Sequence, residues 1–361
     1  MENNGIPASA LLEYGHVFEK KRGNTMKKIL LSTTMLALFA GAASAEVTLS
    51  GSGRFGLDYA ENRSNGADIP GTLVEFSETQ LAYRLRINVD AKFEADNGVT
   101  YGGRIRFQNS NGSTAASFSP AMLYIEASGV RVEVGNSNTA YDSVALMYNP
   151  EIGFQERSFG DPQGNYYSFN SGAYSADEAN RVGIYAAYSY SGVNLKASYV
   201  QSDQNATGGT SGVKGTDGAD ESSIAADFTT GQFTVAAAYV DNGAGIEGNY
   251  LTFVGAAYKF SDAGSVGLNY NDNGISEASA ATSINVAAPS VSLGKTITLY
   301  GNYTINGITL GGYVSDSDVD NADTAYGLGA AYDLGGATLA GAVESGFGGD
   351  LRADLGVRMS F

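Results

Sequence analysis

From residue 46 onward the chain alternates apolar and polar positions with a period of two. Val47, Leu49, Phe55, Leu57 and Tyr59 fall on one side of the first segment, and Glu46, Thr48, Ser50, Ser52, Arg54 and Asp58 on the other. The next segment sets Leu81, Tyr83, Leu85, Ile87, Val89, Ala91 and Phe93 against Arg84, Arg86, Asn88, Asp90 and Lys92. Side chains of a strand point alternately to opposite faces, so this pattern predicts strands with one greasy and one charged face. Asp96-Asn97-Gly98 supplies a tight turn, after which Tyr101, Ile105 and Phe107 continue opposite Arg104, Arg106 and Gln108.

The same reading predicts sixteen strands: 47–59, 80–94, 99–109, 120–128, 130–135, 180–189, 193–201, 222–229, 232–240, 249–260, 264–272, 295–305, 308–315, 324–334, 337–344 and 351–361. Tight links such as Ser128-Gly129, Ser191-Gly192, Asn306-Gly307 and Gly335-Gly336 alternate with longer connections, the longest at 136–179. Short turns on one rim, long loops on the other and an even strand number predict an all-β transmembrane antiparallel barrel of about 16 strands. Tyr or Phe near the strand ends fits aromatic girdles at both membrane interfaces: Phe93, Tyr188, Phe228, Phe260, Tyr303, Tyr332 and Phe361 on the short-turn side, and Tyr59, Tyr199, Tyr239 and Tyr270 on the other. A closed barrel has no free edge, so the last strand is expected to pair with the first.

The first 45 residues follow another rule. Met26-Lys27-Lys28, the apolar run from Ile29 to Ala40 and Ala43-Ser44-Ala45 read as a secretory signal peptide over 26–45, with cleavage before Glu46. Residues 1–25 read as an upstream extension produced by a start codon set too early, a genuine extension being the alternative. The remaining 316 residues, 46–361, carry 16 basic and 35 acidic side chains and no His, Cys or Trp, His16 lying in the extension. That composition excludes His-based triads, thiol nucleophiles and Cys/His zinc sites, and its acidity disfavours nucleic acid as a partner. No segment after residue 45 is apolar over the length of a membrane-spanning helix.

Glu46-Val47-Thr48-Leu49-Ser50-Gly51, the stretch Tyr326-Gly327-Leu328-Gly329-Ala330 to Tyr332-Asp333-Leu334-Gly335-Gly336, and Ala353-Asp354-Leu355-Gly356-Val357 to Phe361 resemble the Rhodobacter-type family of Gram-negative porins. The resemblance is strong at the two ends and follows the strand plan between them. It implies a sixteen-stranded outer-membrane barrel, usually a homotrimer, that passes ions and small hydrophilic solutes by diffusion. It implies too that the third long loop folds into the lumen, its carboxylates facing wall arginines, and that the terminal aromatic is read by the barrel-insertion machinery. A substrate-specific channel is the alternative within transport, and a structural or adhesive barrel the alternative outside it. Inward aromatics such as Tyr185 and Tyr313 are too scattered for an aromatic slide.

Segment 136–179 is the third long loop. It carries Asp142, Glu151, Glu156, Asp161, Asp177 and Glu178, but also Val144, Leu146, Met147, Ile152 and Phe154, too apolar a set for a solvated tail. We therefore expect it inside the barrel, with Asp142, Glu151, Glu156 and Asp161 as the loop side of a constriction. The wall side is expected from Arg54, Arg84, Arg86, Arg104 and Arg106, roughly six to eleven residues from the short-turn rim on three adjacent strands, or about 20–35 Å at strand rise. They are expected to be bathed in water; Arg352 is a further candidate. A basic wall facing an acidic loop gives a transverse field that orients dipolar solutes. Asp316, Asp318, Asp320 and Asp323 space like the start of a calcium loop, but Asn321 and Gly327 stand where an EF-hand needs Gly and Glu. A solvated acidic loop is the default reading, with a looser calcium site as the alternative.

Overall fold

The computed structural model describes residues 45–63, 76–113, 115–174, 181–202, 219–276 and 291–361. The upstream extension and almost all of the signal segment lie outside these residues, as do Asp177 and Glu178 of the third loop. Sixteen strands build the wall: β1 Glu46–Ala60, β2 Thr79–Glu94, β3 Thr100–Ser110, β4 Met122–Ala127, β5 Val130–Gly135, β6 Val182–Tyr190, β7 Val193–Gln201, β8 Glu221–Thr230, β9 Phe233–Asp241, β10 Leu251–Ser261, β11 Gly264–Asp272, β12 Lys295–Ile305, β13 Ile308–Ser317, β14 Ala325–Asp333, β15 Ala337–Ser345 and β16 Leu351–Ser360. Each pairs antiparallel with the next. β1 also pairs with β16, from Ser52 opposite Ser360 to Ala60 opposite Arg352, and this closes the barrel. Phe361 completes the seam by exchanging backbone hydrogen bonds with Gly51 in both directions.

The tight links have the backbone that a right-twisted hairpin requires. Ser128 and Gly129, Ser191 and Gly192, and Asn306 and Gly307 all adopt positive φ, between 49° and 82°, the pattern of a type I′ turn. On the long-loop side short extra pieces appear inside predicted loops: Ser117–Phe118 bridges to β3, and Ile275–Ser276 pairs with Val291–Ser292.

The outward rows remain exposed on the chain taken alone. Leu81 is 78% exposed and Leu328 74%, values a water-soluble core would not tolerate and a hydrocarbon shell requires. The aromatic positions named for the two rims are exposed or half-buried. Two of them stack on each other, Phe260 on Tyr303, and Phe93 stacks on Tyr101.

Alternation fails on one side of the lumen. The inward positions Ala236, Ala238, Val240, Leu251 and Phe253 on β9 and β10 are buried and apolar. They pack on Ala140, Tyr141, Val144 and Met147 of the third loop. Tyr141, Met147 and Phe154 have no exposed surface, and each such side chain contributes about 1.5–3 kcal/mol. The core of this molecule is thus the contact between a loop and the inside of its own barrel.

Candidate functional site: a pore constriction

The third loop follows the inner wall, and inward side chains from around the barrel hold its backbone. Lys196 on β7 donates to the Ser143 carbonyl, and Asn269 on β11 donates to the Leu146 carbonyl at 2.8 Å. The Phe159 amide donates to the Tyr313 hydroxyl on β13 at 3.1 Å. Phe154 and Gln155 donate their amides to the two oxygens of Asp354 on β16, at 2.9 and 3.4 Å. Gly153, at φ +74°, leaves room for that carboxylate.

The strand register then lines up charge. Arg54 on β1 lies opposite Arg84 on β2 and, across the closing seam, opposite Arg358 on β16. Like charges directly opposite each other destabilise a sheet. Glu156, on the loop, supplies the counter-charge: its carboxylate lies 2.7 Å from Arg358, 3.8 Å from Arg54 and 4.0 Å from Arg84. Arg54 also donates to the Gln155 carbonyl. Glu156 has φ 52°, a left-handed backbone that costs a residue with a Cβ about 1–2 kcal/mol. One carboxylate drawing three guanidinium groups offsets that strain.

The other predicted residues divide between this row and other places. Arg86 donates to Gln108, and Arg106 donates to Asn88 and to Ser171 on the loop while stacking 4.5 Å from the Phe169 ring centroid. Arg104 pairs with Asp90 of its own wall at 2.7 Å. Arg54, Arg84, Arg86 and Arg106 are 7–9% exposed, so they are not bathed in water. The inward loop covers them, and their neighbours crowd them. Glu151 lies near enough to Arg54 and Arg358 to feel both charges, yet burial, then Asp161, then Glu156 push its carboxyl well above the usual range. Asp161 accepts the Ser158 amide at 3.0 Å and holds the loop's own turn.

Asp142 turns away from the arginine row. It accepts the Tyr148 hydroxyl at 2.6 Å inside the apolar contact region, and burial pushes its pKa up to about 6. A raised carboxyl pKa means that the folded state holds the proton more tightly than the unfolded state. Stability is therefore fully present below about pH 4 and falls as the pH rises towards 6, by about 3 kcal/mol at most. Asp142→Asn is expected to raise the denaturation midpoint at pH 8 and leave it unchanged near pH 3. Urea titration of the refolded barrel at the two pH values checks this.

Several residues that the sequence did not single out complete the site. Arg157 of the loop lies 2.7 Å from Asp58 on β1 and 3.4 Å from Glu344 on β15. Glu344, 1% exposed, also accepts Arg352 at 2.7 and 3.0 Å and the Tyr313 hydroxyl at 2.7 Å. Arg352 lies 3.6 Å over the Phe159 ring. It therefore anchors the loop and does not extend the arginine row. Tyr185 contacts Ser143, so Tyr185 and Tyr313 both support the loop. The inward face of Arg358 was legible from the alternation of β16, whereas its place beside Arg54 depends on the register of the closing pair. Of the acidic loop, Asp318 accepts the Lys295 amide and Asp316 accepts Thr324. Among the described residues no group of three or more carboxylates could hold a metal ion, Asp316, Asp318 and Asp320 included.

The sequence model of the Gram-negative porins matches residues 32–350. The chain belongs to the Gram-negative porin family. A porin of Fuscovulum blasticum is 43% identical over 321 residues, covering 88% of this chain and all of the relative. A porin of Rhodobacter capsulatus is 28% identical over 332 residues, with the same coverage. A solved mutant of the Rh. blastica porin superposes with a TM-score of 0.75 at 42% identity, covering 88% of this chain and all of that one. This porin is an outer-membrane barrel whose function is diffusion of small hydrophilic solutes, and the third loop narrows its lumen.

Proposed function

We propose that the cluster of Glu156 with Arg358, Arg54 and Arg84 lines the constriction at which this porin sorts ions and small hydrophilic solutes. The observation that carries this reading is the convergence of one loop carboxylate on three arginines that the strand register sets side by side. Fixed charges of both signs on the lining of a narrow aqueous path orient dipolar solutes and retard apolar ones, which must displace ordered water. Arg86, Arg104 and Arg106 continue the basic wall along β2 and β3. The excess of acids over bases in residues 46–361 favours cations at the mouths, whereas the arginine wall favours anions within. Solutes pass without chemical change, and the barrel works as a homotrimer inserted by the outer-membrane assembly machinery.

Planar bilayers under a salt gradient test the constriction. Glu156→Gln removes one negative charge, so the cation-to-anion permeability ratio is expected to fall. A unit charge at about 4 Å in water is worth about 1 kcal/mol, or roughly five-fold in ion partition, and less as salt rises. An unchanged reversal potential would mean that Glu156 lies off the permeation path.

A further inference from the structure

Ile152 stands four residues before Glu156 and one before the left-handed Gly153. It is 9% exposed, clusters with Tyr300, Tyr313 and Ala342, and is backed by three glycines of the wall. Gly311 on β13 lies opposite Gly329 on β14 in the register, and Gly327 is two residues along the same inward row. A Cβ on Gly311 would lie 3.2 Å from Ile152 Cγ2. On Gly327 it would lie 2.5 Å from Tyr313 Cε1 and 2.8 Å from Ile152 Cδ1, and on Gly329 2.9 Å from Ile152 Cβ. Three inward glycines thus leave a shallow socket, bordered by the Tyr313 ring, that Ile152 of the loop fills. Strand interiors disfavour glycine, which weakens a sheet unless something must come close. On one side of the socket a cavity of about 180 Å³ opens between Asn149–Gly153 and the wall, so a displaced Ile152 has somewhere to go.

We infer that this glycine socket is a positioning device: by seating Ile152 it fixes the height and reach of Glu156, so uncharged residues on β13 and β14 set the aperture and charge preference of a constriction that lies against β16, β1 and β2. The inference rests on the reading of Glu156 as the constriction charge. Ile152 and Arg157 exchange backbone hydrogen bonds at 3.1 and 3.3 Å, so a shift at Ile152 is passed directly to the neighbour of Glu156, while Phe154, packed against Ala82 and Ala340, keeps the turn between them in place.

Gly311→Val is the informative variant. Nothing but Ile152 lies within 4 Å of the Cβ it would add, it faces the lumen, and valine suits a strand. Single-channel recording in planar bilayers reads conductance, open-channel noise and reversal potential, and heat-modifiable mobility on gels reads folded barrel. Gly311→Val is expected to change the permeability ratio by about two-fold or more at low salt, where charge position is least screened. It should also raise the noise at an unchanged folded yield. Adding Ile152→Ala to it vacates the space and should move both readouts back towards the parent, whereas Ile152→Ala alone should raise the noise. No charge is altered in these variants, and recovery of the ratio in the double variant, which keeps the valine, separates movement of the charges already there from narrowing of the lumen by the valine itself. If Gly311→Val leaves ratio, conductance and noise at parental values while Glu156→Gln shifts the ratio, the socket is overturned and the constriction stands. If Glu156→Gln is silent, the constriction reading fails, and parental conductance and noise in Gly311→Val overturn the socket as well. Should the valine variant not assemble, Gly311→Ala, whose single methyl meets Ile152 at 3.2 Å, gives the same readouts.

Discussion

Changing Arg84 and Arg86 together to serine raises the cation-to-anion permeability ratio on the order of ten-fold at low salt, because two fixed positive charges are removed from the wall beside a confined aqueous path. Both residues lie on β2, two positions apart, and therefore on one face. The expected cost in stability is small although both are buried. Arg84 lies opposite Arg54, so its removal relieves like-charge repulsion. Glu156 keeps Arg358 at 2.7 Å and Arg54 at 3.8 Å. A polar change on the lipid face at mid-depth would instead disturb assembly, as a charge there does at about 2–4 kcal/mol. Reversal potential under a salt gradient and folded yield separate the cases. A normal barrel with an unchanged potential would place β2's arginine face outside the permeation path.

Glu344→Ala is expected to be the most destabilising single substitution in the lumen. The carboxylate has almost no contact with solvent and accepts hydrogen bonds from Arg352, Arg157 and the Tyr313 hydroxyl. Removing one member of a buried ion pair leaves charge uncompensated, at about 3–5 kcal/mol. Here two guanidinium groups lose their shared partner, though Arg157 retains Asp58. The loss should appear as a lower denaturation midpoint. It should also lower the permeability ratio, since the lumen gains net positive charge and the loop loses its tie to β15. Glu344→Gln, which keeps an acceptor for Tyr313, should show the change in ratio with a smaller fall in midpoint. Replacing Glu344 and Arg352 together by methionine should recover part of the stability, because an apolar pair avoids the desolvation of both ions. A midpoint unmoved by Glu344→Ala would show that water replaces the lost carboxylate.

The strands and their sidedness were legible because both depend on local rules. A period of two needs only neighbours, and lipid outside with water inside tells each residue of a pair which way to face. Arg54, Arg84, Arg86, Arg104 and Arg106 could thus be assigned to the inner face from their own segments, and the type I′ turns from pairs such as Asn306-Gly307. The apolar content of the third loop likewise pointed inward. The doubly apolar run Phe233-Thr234-Val235-Ala236-Ala237-Ala238-Tyr239-Val240 held a further clue that alternation alone does not interpret: a strand greasy on both faces inside a pore must have something apolar against it.

Only the tertiary structure decided which charges meet. Asp142, Glu151, Glu156 and Asp161 look alike in sequence, yet Asp142 is shut in with Tyr148, Asp161 caps a turn, and Glu156 reaches the arginines. Arg358 joins Arg54 only because the chain ends pair in a definite register, with more than 300 residues between them. Ile152 finds its glycines, and Arg157 its two carboxylates, only once a loop without regular structure has folded back across the lumen. Periodicity fixes the face on which a side chain stands, whereas contacts across a lumen depend on closure and on the path of a loop, and no stretch of sequence encodes either locally.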